Sequence, residues 1–280
     1  MKENADEKEF FGILCREEQF HDDWASSVDP LSVQVDALES ACTMPETRYI
    51  ISSLGKENIK NKKILEIGCG CGEGSVYFAK QGADVTATDL SSRMVELAKK
   101  VAELHGVSIA GAVCPSDKLP FSDCSFDIVY AANVIHHVDI ENTIREIKRV
   151  LKPDGTFVCW DPIKYNPAIN IYRKLAEGVR TIDEHPIDSH YVRFLRKNFL
   201  KVKNKGFWLF TNLVFVKYYF IDKLDPSKVR YWKKVVDDCD KIKGFYLPLE
   251  KIDAFLLKCI PPLKWLCWNM VVIAKGKKNV

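Results

Sequence analysis

The sequence predicts an α/β protein built on a doubly wound, mostly parallel sheet. Three observations predict it. Short apolar runs alternate with helical segments between residues 62 and 162, the rhythm of strand–helix–strand units. The first run, Ile64-Leu65-Glu66-Ile67, stops in the glycine-rich stretch Gly68 to Gly74, and a glycine loop after the first strand marks the ligand crevice of an open α/β sheet. A later run, Phe126 to Ala132, is apolar at nearly every position, as expected of a strand covered on both faces.

Each element follows in order. Residues 1–60 are polar and helical in pattern, with Pro30 and Pro45 as punctuation, and are expected to form an N-terminal helical cap. Residues 61–162 carry the core. Ser75 to Lys80 reads as the first helix, and Ala83 to Thr88 as a second strand ending in Asp89. Ser91 is placed as the N-cap of a helix whose Met94, Leu97, Ala98, Val101 and Leu104 recur at helical spacing, and Gly106 stands where a helix terminates. Val107 to Val113 gives a weak third strand and Phe126 to Ala132 the fourth. The helix Ile140 to Leu151 is closed by the turn residues Lys152 to Gly155, and Thr156 to Trp160 is the fifth strand. Residues 163–200 are rich in polar side chains and are expected to be an insertion closing over the active site as a lid. Residues 201–280 should complete the sheet, with Trp268 to Ala274 as the last strand.

Composition bounds the class. With 280 residues, 47% hydrophobic and 28% charged, the chain can bury a sizeable core and is neither disordered nor collagen-like nor a disulfide miniprotein. The net charge of +3 does not argue for nucleic acid, but its distribution is uneven. Residues 201–280 hold 17 Lys and Arg against 7 Asp and Glu, whereas the first 200 hold 24 against 31. Ten cysteines are scattered without one CxxC pair, so no metal site is expected. The acidic, polar start is unlike a leader peptide, and no apolar run reaches the length of a membrane span. A reduced, cytoplasmic chain with free thiols is expected.

The glycine loop carries the chemistry. Neither Gly68-Cys69-Gly70 nor Gly70-Cys71-Gly72 extends to GxGxxG, and no GxxxxGK[ST] occurs, which removes dinucleotide and P-loop readings. Glu66 before the loop and Glu73 within it would repel a pyrophosphate but favour a cation. Asp89 is placed for ribose hydroxyls. The pattern asks for an adenosine ligand bearing ribose and positive charge but no phosphate.

At these residues the chain resembles a known family. Leu65 to Gly72, Thr88-Asp89-Leu90-Ser91, Leu119-Pro120-Phe121, Ser125-Phe126-Asp127, Asn133 to Val138 and Arg149 to Gly155 are similar to signatures of the class I S-adenosylmethionine-dependent methyltransferases. They resemble in particular the small-molecule branch of ubiquinone and menaquinone methyltransferases. The resemblance implies a seven-stranded Rossmann-like sheet and S-adenosylmethionine as cofactor. It implies that Glu66, Gly68, Gly70 and Gly72 border the methionine part, that Asp89 meets the ribose, that Leu90 flanks the adenine and that Asn133 lines the pocket. Pro115 stands where the family often has an adenine-binding Asp, leaving Ser116 or Asp117 for that contact.

Methyl transfer is an in-line displacement that needs proximity and excluded water more than acid–base machinery. Candidate bases are His136 and His137 after the fourth strand, with His185 and Tyr165 in the insertion. Asp161, Arg173, Arg180, Asp183 and Glu184 add polar groups there. His21 to Trp24 either covers the cofactor or lies on a surface helix. The aromatic run Phe207 to Ile221 is core, an apolar acceptor pocket or a membrane-surface face. The expected activity is methyl transfer to a small, partly apolar acceptor, without nucleic acid or an obligate protein partner, and with at most transient membrane contact. The alternatives are a protein or nucleic-acid methyltransferase and a non-catalytic S-adenosylmethionine binder.

Overall fold

The computed structural model describes residues 2–176 and 184–278, with side chains from residue 12 on. Three N-terminal helices, α1 (Lys2–Ser27), α2 (Ala37–Ser40) and α3 (Pro45–Leu54), precede β1 (Lys63–Ile67) and α4 (Glu73–Lys80). Next come β2 (Asp84–Asp89), α5 (Ser92–Leu104), β3 (Ala110–Val113), β4 (Phe126–Ala132), α6 (Ile140–Val150) and β5 (Leu151–Pro162). Helices α7 (Pro167–Leu175) and α8 (Ser189–Asn198) lead to β6 (Phe199–Phe207), and α9 (Leu213–Phe220), α10 (Tyr231–Asp237) and α11 (Cys239–Cys259) precede β7 (Asn269–Lys277).

The strands form one seven-stranded sheet in the order β3-β2-β1-β4-β5-β7-β6. All pairs are parallel except β5–β7 and β6–β7, which are antiparallel. Successive residues of β1 face opposite ways, Ile64 into the layer of α4 and α5 and Leu65 into that of α6 and α8, so the sheet is covered on both faces. The strand order reverses at β1 and β4, which opens the crevice beyond their carboxyl ends.

Local chemistry explains the helices that frame this crevice. Ser91 caps α5 by accepting from Met94 N at 3.1 Å, and its own hydroxyl donates to Asp22 of α1 at 2.5 Å. One side chain thus starts α5 and docks α1 on it. The Leu119 to Phe121 and Arg149 signatures are joined: the Arg149 guanidinium donates to the carbonyls of Leu119 and Phe121 and to Glu146 and Asp123. These residues hold the loop before β4 against α6.

Two elements differ from expectation. The Lys152 to Gly155 turn lies inside β5 rather than before it, because Phe126 pairs with Leu151 while Ile128 pairs with Thr156, leaving the four residues as a bulge. The long interruption of the sheet is residues 208–268, between β6 and β7, a stretch the sequence pattern merged with completion of the sheet. The edge strand β6 was not separated from it either, since Lys201, Lys203 and Lys205 replace apolar alternation on its open side. Among the described residues no helix is long and apolar enough to cross a membrane.

Candidate active site

A cavity of about 380 Å³ opens at the carboxyl ends of β1, β2, β4 and β5, within the range of small-molecule and cofactor sites. Its rim begins with the glycine loop. Gly70 has φ +51°, and a side chain there would point into open space, so the bare backbone faces the cavity. Gly72 (φ +90°) has another reason: a Cβ would sit 2.8 Å from the Ala98 backbone, where α4 and α5 pack together.

The Asp89 carboxylate is fixed by backbone donors. Gly70 N–H donates to Oδ2 and Ser91 N–H to Oδ1, each at 3.0 Å. Burial raises its pKa from the ordinary carboxyl value, against the pull of His21 and these N–H groups. Glu66 lies behind the loop, accepts from the Ser75 hydroxyl and is pushed up to about 8 by burial. Asn133, at φ +60°, ends β4 in the left-handed region that Asn tolerates best after Gly, and its N–H donates to Trp160 O at 2.7 Å. Leu90, Ser116 and Asp117 also line the cavity, with the Ser116 hydroxyl 2.9 Å from that of Thr143.

The second wall is aromatic. Trp24 from α1 meets Trp232 edge-on with centroids 5.7 Å apart, and the Arg230 guanidinium sits 4.5 Å over the Trp24 ring. This places the His21 to Trp24 segment at the cavity. Trp208 and Trp268, 5.5 Å apart, close the far side. Beside them Glu46 accepts from Asn269 Nδ2 at 2.7 Å, and burial pushes its carboxyl up to about 7. The sequence reading missed Glu46, Asn269, Arg230 and Trp232, while Trp208 belongs to the aromatic run Phe207 to Ile221 for which an acceptor pocket is one reading.

The third feature is polar. His136, 2% exposed, places Nδ1 2.8 Å from Asp161 Oδ1. His137 places Nδ1 3.3 Å from Glu17 Oε1 of α1, and the two imidazole centroids are 4.0 Å apart. Glu184 lines the same cavity.

Two of the expected catalytic side chains are not brought there. Tyr165 is 41% exposed, its hydroxyl 3.4 Å from Ser189 Oγ and its ring edge-on to Trp265, away from the cavity lining. The His185 side chain is exposed; what it contributes is its backbone N–H, which donates to His136 O at 2.6 Å. The reason is the path after β5. Ile163 bridges Ile187, and α7 packs Tyr172 on Phe215 and Tyr231, which turns Tyr165 outward. Arg180 and Asp183 lie outside the described residues.

The lining suits a cationic nucleoside. Among the described lining residues nine carry carboxyl groups, against Arg230 and Lys233 as permanent cations. Even with Glu46 and Glu66 neutral, this surface favours a sulfonium and repels a pyrophosphate.

Comparison with known proteins agrees. Residues 65–159 match the family described as Methyltransferase domain. The chain is 33% identical over 110 residues to a sterol 4-C-methyltransferase of Caenorhabditis elegans, covering 38% of this chain and 33% of that protein. It is 31% identical over 150 residues to a ubiquinone/menaquinone biosynthesis C-methyltransferase of Desulfotalea psychrophila, covering 51% and 58%. The chain therefore spans a third of the first relative's length and under two thirds of the second's. The crystal structure of the YcgJ protein of Bacillus subtilis superposes with a TM-score of 0.52 at 19% identity over 83% of this chain and all of that one, a likeness of fold. Residues 65–159 thus match the Methyltransferase domain family, in a chain that resembles the ubiquinone and menaquinone C-methyltransferases.

Proposed function

We propose that the chain transfers a methyl group from S-adenosylmethionine to a small, partly apolar acceptor. One observation carries the reading: the Asp89–Gly70 rim, the tryptophan wall and the His136–His137–Glu184 cluster all line a single cavity. When bound, the cofactor supplies a methyl group activated on a sulfonium. The protein's part is to hold and enclose. Asp89, already oriented by two N–H groups, is set to accept from ribose hydroxyls, and Gly70 lets the backbone come close. The indoles of Trp24, Trp208, Trp232 and Trp268 give an apolar acceptor body its contacts and keep water out. Glu46 and Asn269 offer a polar end, and His136 and His137 stand where an acceptor's reacting group needs orientation.

Calorimetry with S-adenosylhomocysteine tests the cofactor half. Binding should be measurable, NAD should give no heat, and Asp89→Ala should weaken binding by about 1.5–3 kcal/mol, the range for hydrogen bonds to a charged group. Methyl-labelled cofactor incubated with the protein and an organic extract of small molecules tests the acceptor half. Label should move into the apolar fraction. Transfer only into added protein or RNA would replace this reading with a macromolecular one.

A further inference from the structure

We propose that His136, His137 and Glu184 bind one divalent transition-metal ion inside the cavity, and that this ion receives an ionisable oxygen of the acceptor, a hydroxyl or an enol. The inference deepens the methyltransferase reading and depends on it only for the acceptor's role.

One nitrogen of each imidazole and one Glu184 oxygen lie within 4.8 Å of one another, and all three residues line the cavity. The backbone assembles them. The 3-10 turn Ile135–His137 after β4 sets the two histidines side by side. The His185 N–H bonded to His136 O holds the segment carrying Glu184 against that turn. Ligation at about 2.0–2.2 Å per donor requires only that the three atoms draw in by side-chain rotation.

The surroundings are those a metal site needs. Metal-binding histidines usually present their other ring nitrogen to a carboxylate, which fixes the tautomer and aims the ligating nitrogen. Here both do so: His136 Nδ1 faces Asp161 at 2.8 Å and His137 Nδ1 faces Glu17 at 3.3 Å. Each imidazole has its own carboxylate, and Glu184 joins as a third. With Nδ1 so engaged, Nε2 is the ligating atom of each ring. Two imidazoles and one carboxylate suit Zn²⁺, Fe²⁺ or Mn²⁺ better than Ca²⁺ or Mg²⁺. Three protein ligands leave coordination positions open, the mark of a catalytic rather than a structural site. An ion in such a site lowers the pKa of an oxygen acid bound to it. The acceptor's O–H proton then leaves to solvent and the electron pair stays on oxygen, with no protein base required.

The test uses the full chain stripped with a chelator and titrated calorimetrically with Zn²⁺ alone. One ion should bind per chain. His137→Ala and Glu184→Gln should each weaken binding at least tenfold, and Asp161→Asn by about tenfold through the oriented His136, with circular dichroism unchanged in all three. Co²⁺ should give a visible absorption band that Glu184→Gln alters. No Zn²⁺ binding, or binding indifferent to His137→Ala and Glu184→Gln, overturns the proposal. S-Adenosylhomocysteine binding by the same stripped wild-type chain separates the two readings. If it binds while Zn²⁺ does not, the metal site alone is wrong. If Zn²⁺ binds as expected and the cofactor product does not, the methyltransferase reading fails and the metal site stands.

Discussion

Glu66 and Glu46 are the carboxyl groups on which burial acts most legibly. Glu66 is pushed up to about 8 and Glu46 to about 7, against a usual value of 4.5. Between those limits the folded chain binds more protons than the unfolded one. Their contribution to stability is therefore full below pH 4.5 and lost as pH rises through 7 and 8. Each can contribute a slope of at most about 1.4 kcal/mol per pH unit. Urea midpoints at pH 6 and pH 8.5 should fall further in the wild type than in Glu66→Gln; parallel falls would show that the Glu66 carboxyl is not held neutral. At this scale the sequence led to residues that line the cavity rim because glycines and acids near a strand end have few other uses. Glu184 and Glu17 were less accessible. Their significance depends on meeting His136 and His137 across long chain separations, and a metal search built on cysteine spacing passes over such a set.

The segments from β1 to β5 follow strand and helix periodicity, and the sequence pattern located them to within a few residues. The segment between β6 and β7 does not. Helix α9 is apolar on most sides, with Phe220 70% exposed, and α11 carries Pro248 in its interior. Neither shows a clean amphipathic stripe. What fixes this segment is a buried carboxylate. Asp253 of α11 accepts from the N–H groups of Leu209, Phe210 and Thr211 and from the Thr211 hydroxyl, at 2.7 to 3.2 Å. This ties the chain leaving β6 to α11, and with it Trp208, which is held at φ +66° in the cavity wall. Asp253→Ala strands these donors and should cost about 3 kcal/mol in urea unfolding, at the cost range of unsatisfied buried groups. Asp253→Asn, which keeps one acceptor oxygen, should recover part of it. A loss below 1 kcal/mol for the alanine variant would mean the insertion is held by its aromatic packing instead.

The cavity belongs to no single stretch of chain. Its rim comes from the loops after β1 and β2, its floor from those after β4 and β5, and its walls from α1, from α3, from Trp208, Trp268 and Asn269 at the ends of β6 and β7, and from α10 with the segments flanking it. The α1 and α10 walls touch each other mainly across the cavity mouth, through Trp24, Arg230 and Trp232. Helix α1 is otherwise anchored to α5 through Asp22, Ser26, Ser91 and Arg93 and to the turn after β4 through Glu17 and His137. Elements held by few bonds and lining a ligand site are the ones that open first. A ligand that binds only the closed arrangement stabilises it by about 2.7 kcal/mol at a hundredfold excess over its dissociation constant. Hydrogen exchange with saturating S-adenosylhomocysteine should therefore slow in three separated regions together: residues 66–72 and 89–91, residues 14–24 of α1, and residues 230–237 of α10. The unliganded protein should exchange faster in the latter two than in β1 and β4, whose amides lie in the centre of the sheet. Protection confined to the glycine loop and Asp89 would show that the cofactor half of the cavity closes without α1 and α10, and that these walls respond only to the acceptor.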